Sequence, residues 1–187
     1  MSPSGANLQP GSFIAVRGEV RQRLCDELVQ TWRQGGHEGE DYDYFPQPMP
    51  MTLRRRQVAS AQALYSALGI ARDDKSGRDG QFERNFRFFD APVGLMFTLD
   101  RVMGRGSLVD YGMFMQNLMV GARGHGLHTC PQAAWNGFAK IILPHIGAGE
   151  NEMLVCGMSL GYADPSDPVN GFITPREPVE SFTKWLE

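Results

Sequence analysis

His125, His128 and Cys130 stand close together in HGLHTC, near enough to share a metal ion. A tetrahedral site needs a fourth ligand or an open water position, and nothing close by in the sequence supplies one. The segment reads more simply as a glycine-rich helix end with polar decoration. Cys130 and His128 also have the makings of a nucleophilic pair, because thiols at helix starts are acidified. A cysteine just before a helix proline reads more simply as packing, so neither residue is nominated for catalysis or metal binding. Arg54, Arg55 and Arg56 sit at a predicted helix start, where positive charge opposes the macrodipole. They read as a solvated patch, or as a seat for an anion or an acidic neighbour such as the 38–43 loop. Arg176 differs: it lies in PREP, flanked by Pro175 and Pro178, so its backbone is stiff and its guanidinium suits bidentate capture of phosphate or carboxylate. Gly104-Arg105-Gly106 lacks the third glycine of a dinucleotide fingerprint, and no phosphate-loop pattern occurs.

The stretch from Ser107 to Trp135 has to position most of these groups. Ser107 and Asp110 have the spacing of a helix start. Leu108, Tyr111, Met115, Leu118, Met119 and Ala122 follow at steps of three and four, which predicts a long helix with an apolar face. Gly124 and Gly126 end it. Pro131 then stands where a first helical residue would, predicting a second helix over 132–145. The free N–H groups at its start face the turn and suit an electron-rich ligand atom.

The other elements follow the same patterns. Prolines and amides predict a loop over 1–10, then a short strand over 13–16. A helix over 18–33 carries Val20, Leu24, Leu28 and Trp32 at four-residue steps and stops at Gly35-Gly36. Residues 37–50 have no period and predict an ordered surface excursion or lid. Helices are expected over 53–68 and from an Asp73 or Asp74 cap to about Phe86. Short apolar runs at 92–99 and 152–162 predict buried strands, and the glycines of the second imply close approach of a helix or ligand. From residue 163 a proline-rich C-terminal arm follows, carrying Phe182 and Trp185, which want a partner surface. The 187 residues, 42% hydrophobic, predict a single domain with one sizeable core. A net charge of −3 gives no overall reason to bind nucleic acid or an anionic membrane, and no apolar run is long enough to span a bilayer. Three widely spaced cysteines argue against a disulfide framework and predict a reducing, cytoplasmic setting.

Five segments in order, PSGANLQP, NFRFFDAPVGLMFTLD, DYGMFMQN, GLHTCPQAAW and PREPV, together resemble the FMN-dependent nitroreductase family over nearly the whole chain. The resemblance implies an α+β fold, a mostly antiparallel sheet flanked by helices. It also implies an intertwined homodimer with FMN at the subunit interface, consistent with the aromatic tail. Pro3, Ser4, Gly5 and Asn7 match the loop that a partner subunit lays along the flavin. Pro131, Gln132, Ala133 and Ala134 match the segment whose backbone N–H groups approach flavin N5 and O4. Arg176 matches the arginine that holds the FMN phosphate, and Asn85 lies near the family's flavin-contacting asparagine.

Family members usually begin earlier, with a helix and an Arg-rich motif that grips the phosphate. This sequence starts inside the following motif, with Gly11 where tryptophan is common, so the expectation is an N-terminally shortened member with fewer phosphate contacts. The resemblance implies an NAD(P)H oxidoreductase that reduces nitroaromatics, quinones or similar flat acceptors by ping-pong hydride transfer, with no side chain needed as acid or base. The alternative is a truncated, non-catalytic member that dimerises but holds FMN weakly or not at all.

Overall fold

Val93–Asp100 (VGLMFTLD) is apolar at all but its last positions, as a strand covered on both faces must be. In the computed structural model, which describes residues 2–37 and 39–186, this strand lies inside a four-stranded antiparallel sheet. In chain order the regular elements are β1 (Ser12–Arg17), α1 (Gly18–Arg33), α2 (Met51–Ala67), α3 (Lys75–Glu83), β2 (Val93–Asp100), α4 (Gly106–Gly124), β3 (His128–Gln132), α5 (Ala139–His145) and β4 (Glu152–Gly161). The sheet order is β1-β2-β4-β3, and each neighbouring pair is antiparallel. This is the α+β arrangement expected from the sequence.

Alternation along β2 divides its side chains between two layers. Met96 joins Leu24, Cys25, Leu28 and Val29 of α1 and Ile142 of α5 on one face. Leu95, Phe97 and Leu99 pack with Tyr111 of α4 on the other. Beside β2, the register of β4 slips by one residue: Phe97 opposes Cys156 but Thr98 opposes Leu154, so Val155 is a β-bulge. A bulge takes backbone groups out of the ladder, and they must find other partners. The 37–45 excursion provides them. Asp41 Oδ2 accepts from Leu154 N–H (3.1 Å), and the Tyr42 hydroxyl donates to Val155 O (2.6 Å). Arg101 in turn holds Asp41 (2.8 Å). This excursion is thus a bonded wall of the sheet layer.

The chain divides into two compact units, Met1–Phe45 with Asp79–Ala163 and Pro46–Arg78 with Asp164–Glu187. The sheet belongs to the first. The second contains α2, which has no fully buried residue, and the C-terminal arm, in which Ile173, Phe182, Trp185 and Leu186 are exposed. Its Arg-rich helix start is partly neutralised by an Arg56–Glu177 ion pair (2.9 Å). Asp74 caps α3 as its sequence position predicts, accepting from Gly77 N–H (2.9 Å). Among the described residues, no helix is long and apolar enough to cross a membrane.

Two expected helix starts are corrected. α4 begins at Gly106 with no side-chain cap, and the Asp110 carboxylate accepts instead from Gly5 N–H (3.1 Å). The second helix does not begin at Pro131, because Pro131 and Gln132 belong to β3, opposite Met158 and Gly157. β3 is a sheet edge, where a residue without an N–H is tolerated. Strand pairing therefore overrides the local helix signal. A 3-10 turn over Ala133–Phe138 and the short α5 follow.

Candidate functional site

Gly94 and Gly157 neighbour each other's strands on the α1 face of the sheet, and two aromatic rings lie on them. A Cβ at Gly94 would stand 2.2 Å from Phe88 Cζ, and one at Gly157 2.4 Å from Trp135 Cδ1. The rings stack on each other with centroids 4.3 Å apart and planes 29° apart. Placing Phe88 there requires a left-handed run, with φ of 54°, 51° and 65° at Phe88, Phe89 and Asp90. Left-handed backbone costs non-glycine residues about 1–2 kcal/mol each, here offset by complete burial of Phe88. The run turns the chain from a 3-10 segment over Arg84–Asp90 into β2 and sets Asn85 beside the end of β3. A bidentate Arg33–Glu83 pair (2.6 and 2.9 Å) and an Arg87–Glu83 contact (3.5 Å) brace that segment against α1.

Gln132 is 3% exposed, and its carboxamide is fully engaged. Its Nε2 donates to Asn85 O (2.9 Å) and Asn85 Oδ1 (3.3 Å), while its Oε1 accepts from Ser159 Oγ (2.7 Å). Asn85 Nδ2 donates to Phe82 O (2.9 Å).

Asn85, Ala133 and Ala134 form one wall of a cavity of about 600 Å³. Trp32, Phe82, Phe86 and Phe138 continue that wall, and Tyr44 and Phe45 of the excursion close the other side. The aromatic rings brace one another, Phe86 meeting Phe138 edge-on at 5.1 Å and Tyr44 meeting Phe45 at 4.8 Å. Tyr42 anchors this side. Asn136 Nδ2 donates to its oxygen (3.1 Å), and burial pushes its pKa up to about 12, so it stays a neutral donor. Two small methyl side chains, an oriented amide and apolar rings, with His37 and Glu40 also in the lining, suit a flat, oxygen-edged ligand.

The predicted residues fall into separate groups. Asn85, Gln132, Ala133 and Ala134 come together at the cavity, with Gln132 buried behind it, whereas Pro131 is exposed on the opposite strand face. Pro3, Ser4, Gly5 and Asn7 share a loop tied to α4 through Asp110 and through Asn117, which donates to Ser2 Oγ (2.9 Å). This loop is internally braced, Ser4 Oγ accepting from Gln9 N–H (3.0 Å), and does not line the cavity. Gly11 has φ of +83°, and a Cβ there would meet the Tyr111 ring at 2.4 Å, which leaves no room for a side chain. Arg176 is exposed in the second unit, its guanidinium donating to Thr174 O (3.0 Å) and Thr174 Oγ1 (2.7 Å).

His128 is occupied structurally. Its Nδ1 accepts from Ala163 N–H (3.2 Å), and Arg123 lies 2.6 Å from Nε2. The Cys130 residue reaches solvent, but packing around the sulfur pushes its thiol up from the ordinary range, opposite to an activated nucleophile. Among the described residues, no three His, Cys, Asp or Glu side chains converge on a common point.

Sequence reasoning passed over Ser159 and the Asp41–Tyr42 clamp. For Ser159 a signal existed, a lone serine within the apolar run MLVCGMSLG, since buried polar groups require partners. The clamp had none, because nothing in the local pattern marks Val155 as a bulge.

Comparison with known proteins places these features in context. A nitroreductase family model matches residues 1–162. A chloronitrobenzene nitroreductase of Comamonas testosteroni is 40% identical over 187 residues, an alignment covering 99% of this chain and 82% of that protein. A 4-nitrobenzoate reductase of Pseudomonas putida is 36% identical, with 100% and 81% covered. Among solved structures, the FMN-dependent nitroreductase of Mycobacterium smegmatis in complex with NADPH superposes with a TM-score of 0.92 at 32% identity, covering 100% of this chain and 83% of that one.

Proposed function

Because this chain belongs to the nitroreductase family, we propose that it is an FMN-dependent NAD(P)H oxidoreductase that reduces nitroaromatic compounds, and quinones or similar flat acceptors as well. The observation that carries this reading is the cavity wall of Asn85, Ala133 and Ala134, whose small side chains and amide suit the edge of a flat ring. FMN, when bound, would supply the two-electron hydride chemistry that links the nicotinamide to the acceptor. The protein's part is placement. Main-chain N–H groups of Ala133 and Ala134 and the amide of Asn85 would hold the ring edge. Arg176 would hold the phosphate, its present partners being a neighbouring carbonyl and hydroxyl. The aromatic side chains exclude water. The two substrates use the same slot in turn, a ping-pong cycle in which no side chain need act as acid or base.

Dimerisation belongs to this reading. Val109, Met113 and Val120, spaced for one stripe of α4, are exposed, and an apolar stripe on a surface helix suits a second subunit. The loop of Pro3, Ser4, Gly5 and Asn7, fixed to α4, would then be presented to the partner's cofactor.

Reconstitution tests the proposal. Purified protein mixed with FMN and desalted should keep flavin absorbance and oxidise NAD(P)H with 4-nitrobenzoate and with menadione. A colourless, inactive product would leave a folded but non-catalytic family member.

A further inference from the structure

We infer that Ser159 is a positioning residue: through Gln132 it fixes the Asn85 carboxamide so that the cavity is met by an N–H donor, which takes an oxygen acceptor on the ligand. The inference rests on the proposed function for the identity of that ligand, but the clamp itself rests on main-chain atoms. A carboxamide can be turned end for end, and its polarity is assigned by its partners. Here two backbone carbonyls decide. Asn85 O is always an acceptor, so the group 2.9 Å from it must be the Gln132 NH2. Gln132 Oε1 then faces Ser159, whose hydroxyl must donate. Phe82 O is likewise an acceptor, so Asn85 turns its Nδ2 toward it and its Oδ1 toward Gln132.

The polarity therefore runs one way, from the Ser159 hydroxyl through the Gln132 amide to the Asn85 amide. Both Gln132 hydrogens are directed at Asn85 oxygens. One Asn85 Nδ2 hydrogen is used by Phe82 O, and among the described residues none accepts the other. Asn85 lines the cavity, so that hydrogen is available to a ligand. The matching group is an oxygen: a flavin ring carbonyl, or a nitro or carboxylate oxygen of an aromatic acceptor. Without the Ser159 hydroxyl, Gln132 Oε1 is left buried without its donor and the amide loses the partner that holds it against Asn85.

The chain as purified, and its Ser159→Ala, Ser159→Thr and Asn85→Asp variants, test this in two ways. Hydrogen exchange of the Gln132 side-chain amide, followed by 15N NMR without added FMN, reads the clamp directly. Wild type and Ser159→Thr should protect that amide, and Ser159→Ala should exchange it about tenfold faster, the scale of one net hydrogen bond. The FMN dissociation constant and the KM for 4-nitrobenzoate then read the consequence. A flavin oxygen at Asn85 predicts FMN binding weakened about five- to tenfold in Ser159→Ala and more in Asn85→Asp, with KM unchanged. An acceptor oxygen predicts a rise in KM of the same size, with kcat and FMN binding held. Either pattern, with Ser159→Thr close to wild type, supports the inference. Equal exchange in wild type and Ser159→Ala overturns it, as does failure of both constants to move. Ser159→Thr falling as far as Ser159→Ala also overturns it, since packing rather than the hydroxyl would then matter. A wild type that neither binds FMN nor oxidises NAD(P)H defeats the proposed function, while amide exchange still decides the clamp.

Discussion

α1 and α4 flank the sheet on opposite faces, and the more apolar of the two is the less buried. α1, GEVRQRLCDELVQTWR, gathers Leu24, Cys25, Leu28 and Val29 into one stripe and buries all four. α4, GSLVDYGMFMQNLMVGARG, is apolar almost all round, yet only Tyr111 is fully enclosed. Val109 and Val120 remain 66% and 60% exposed. The arrangement of apolar residues, and not their number, decides what one subunit can cover. A helix that is apolar beyond its core stripe has surface to offer elsewhere.

The sharpest contrast comes from removing apolar volume beside α1. Leu28→Ala should destabilise the fold by about 2–5 kcal/mol, read from urea denaturation and independent of protein concentration. A loss under 1 kcal/mol would mean that the α1 layer is not the packed half. Replacing Tyr42, in the loop that follows α1, should come next. Tyr42→Phe deprives the bulged Val155 carbonyl of its donor and should cost about 1–3 kcal/mol. Equal urea midpoints for the two proteins would show that solvent serves that carbonyl as well.

On the α4 side the expected change is in assembly. Val109→Lys with Val120→Lys should leave the fold within about 0.5 kcal/mol per substitution while converting the proposed dimer to a monomer by light scattering. An unchanged mass would place the partner surface elsewhere.

The smallest effect lies in the strands that both helices cover. The Thr98 hydroxyl donates to Glu152 (2.7 Å), with Gly149 N–H and Ser12 also contributing, and this holds the carboxyl below its usual 4.5. Its contribution is therefore present above that value and lost as pH falls through the lower folded-state value. Glu152 is largely solvated, so Glu152→Gln should flatten the acid limb of the stability curve only slightly, measured as urea midpoints from about pH 6 to pH 3.

The same contrast explains what could be read from the sequence. α1 was legible from Gly18 to Arg33 because one stripe and one Gly-Gly stop agree. β2, β4 and the end of α4 at Gly124 were legible for similar reasons, and the family motifs singled out Asn85, Ala133 and Ala134, which the fold brings to one cavity. Pro131 misled, because its local signal for a helix start is indistinguishable from an edge-strand proline until Met158 is known to lie opposite. Asp110 misled likewise: its cap geometry was plausible locally, but Gly5, distant in sequence, claims the carboxylate. The role of Ser159 depends on Gln132, on the Asn85 carbonyl that Gln132 meets and on the Phe82 carbonyl beyond it, and no pattern within β4 encodes those.

One residue in β4 governs where these groups point. Before Val155 the odd-numbered Met153 packs toward α4 and the even-numbered Leu154 toward α1; after it Cys156 and Met158 turn to α4, and Gly157 and Ser159 to α1. Val155 thus acts as a phase shifter. Deleting it would restore strict alternation and leave the hydroxyl at 159 on the α1 side, whereas flattening the bulge with Val155 retained in the ladder would carry that hydroxyl to the wrong side of the sheet, with no change in composition near the cavity.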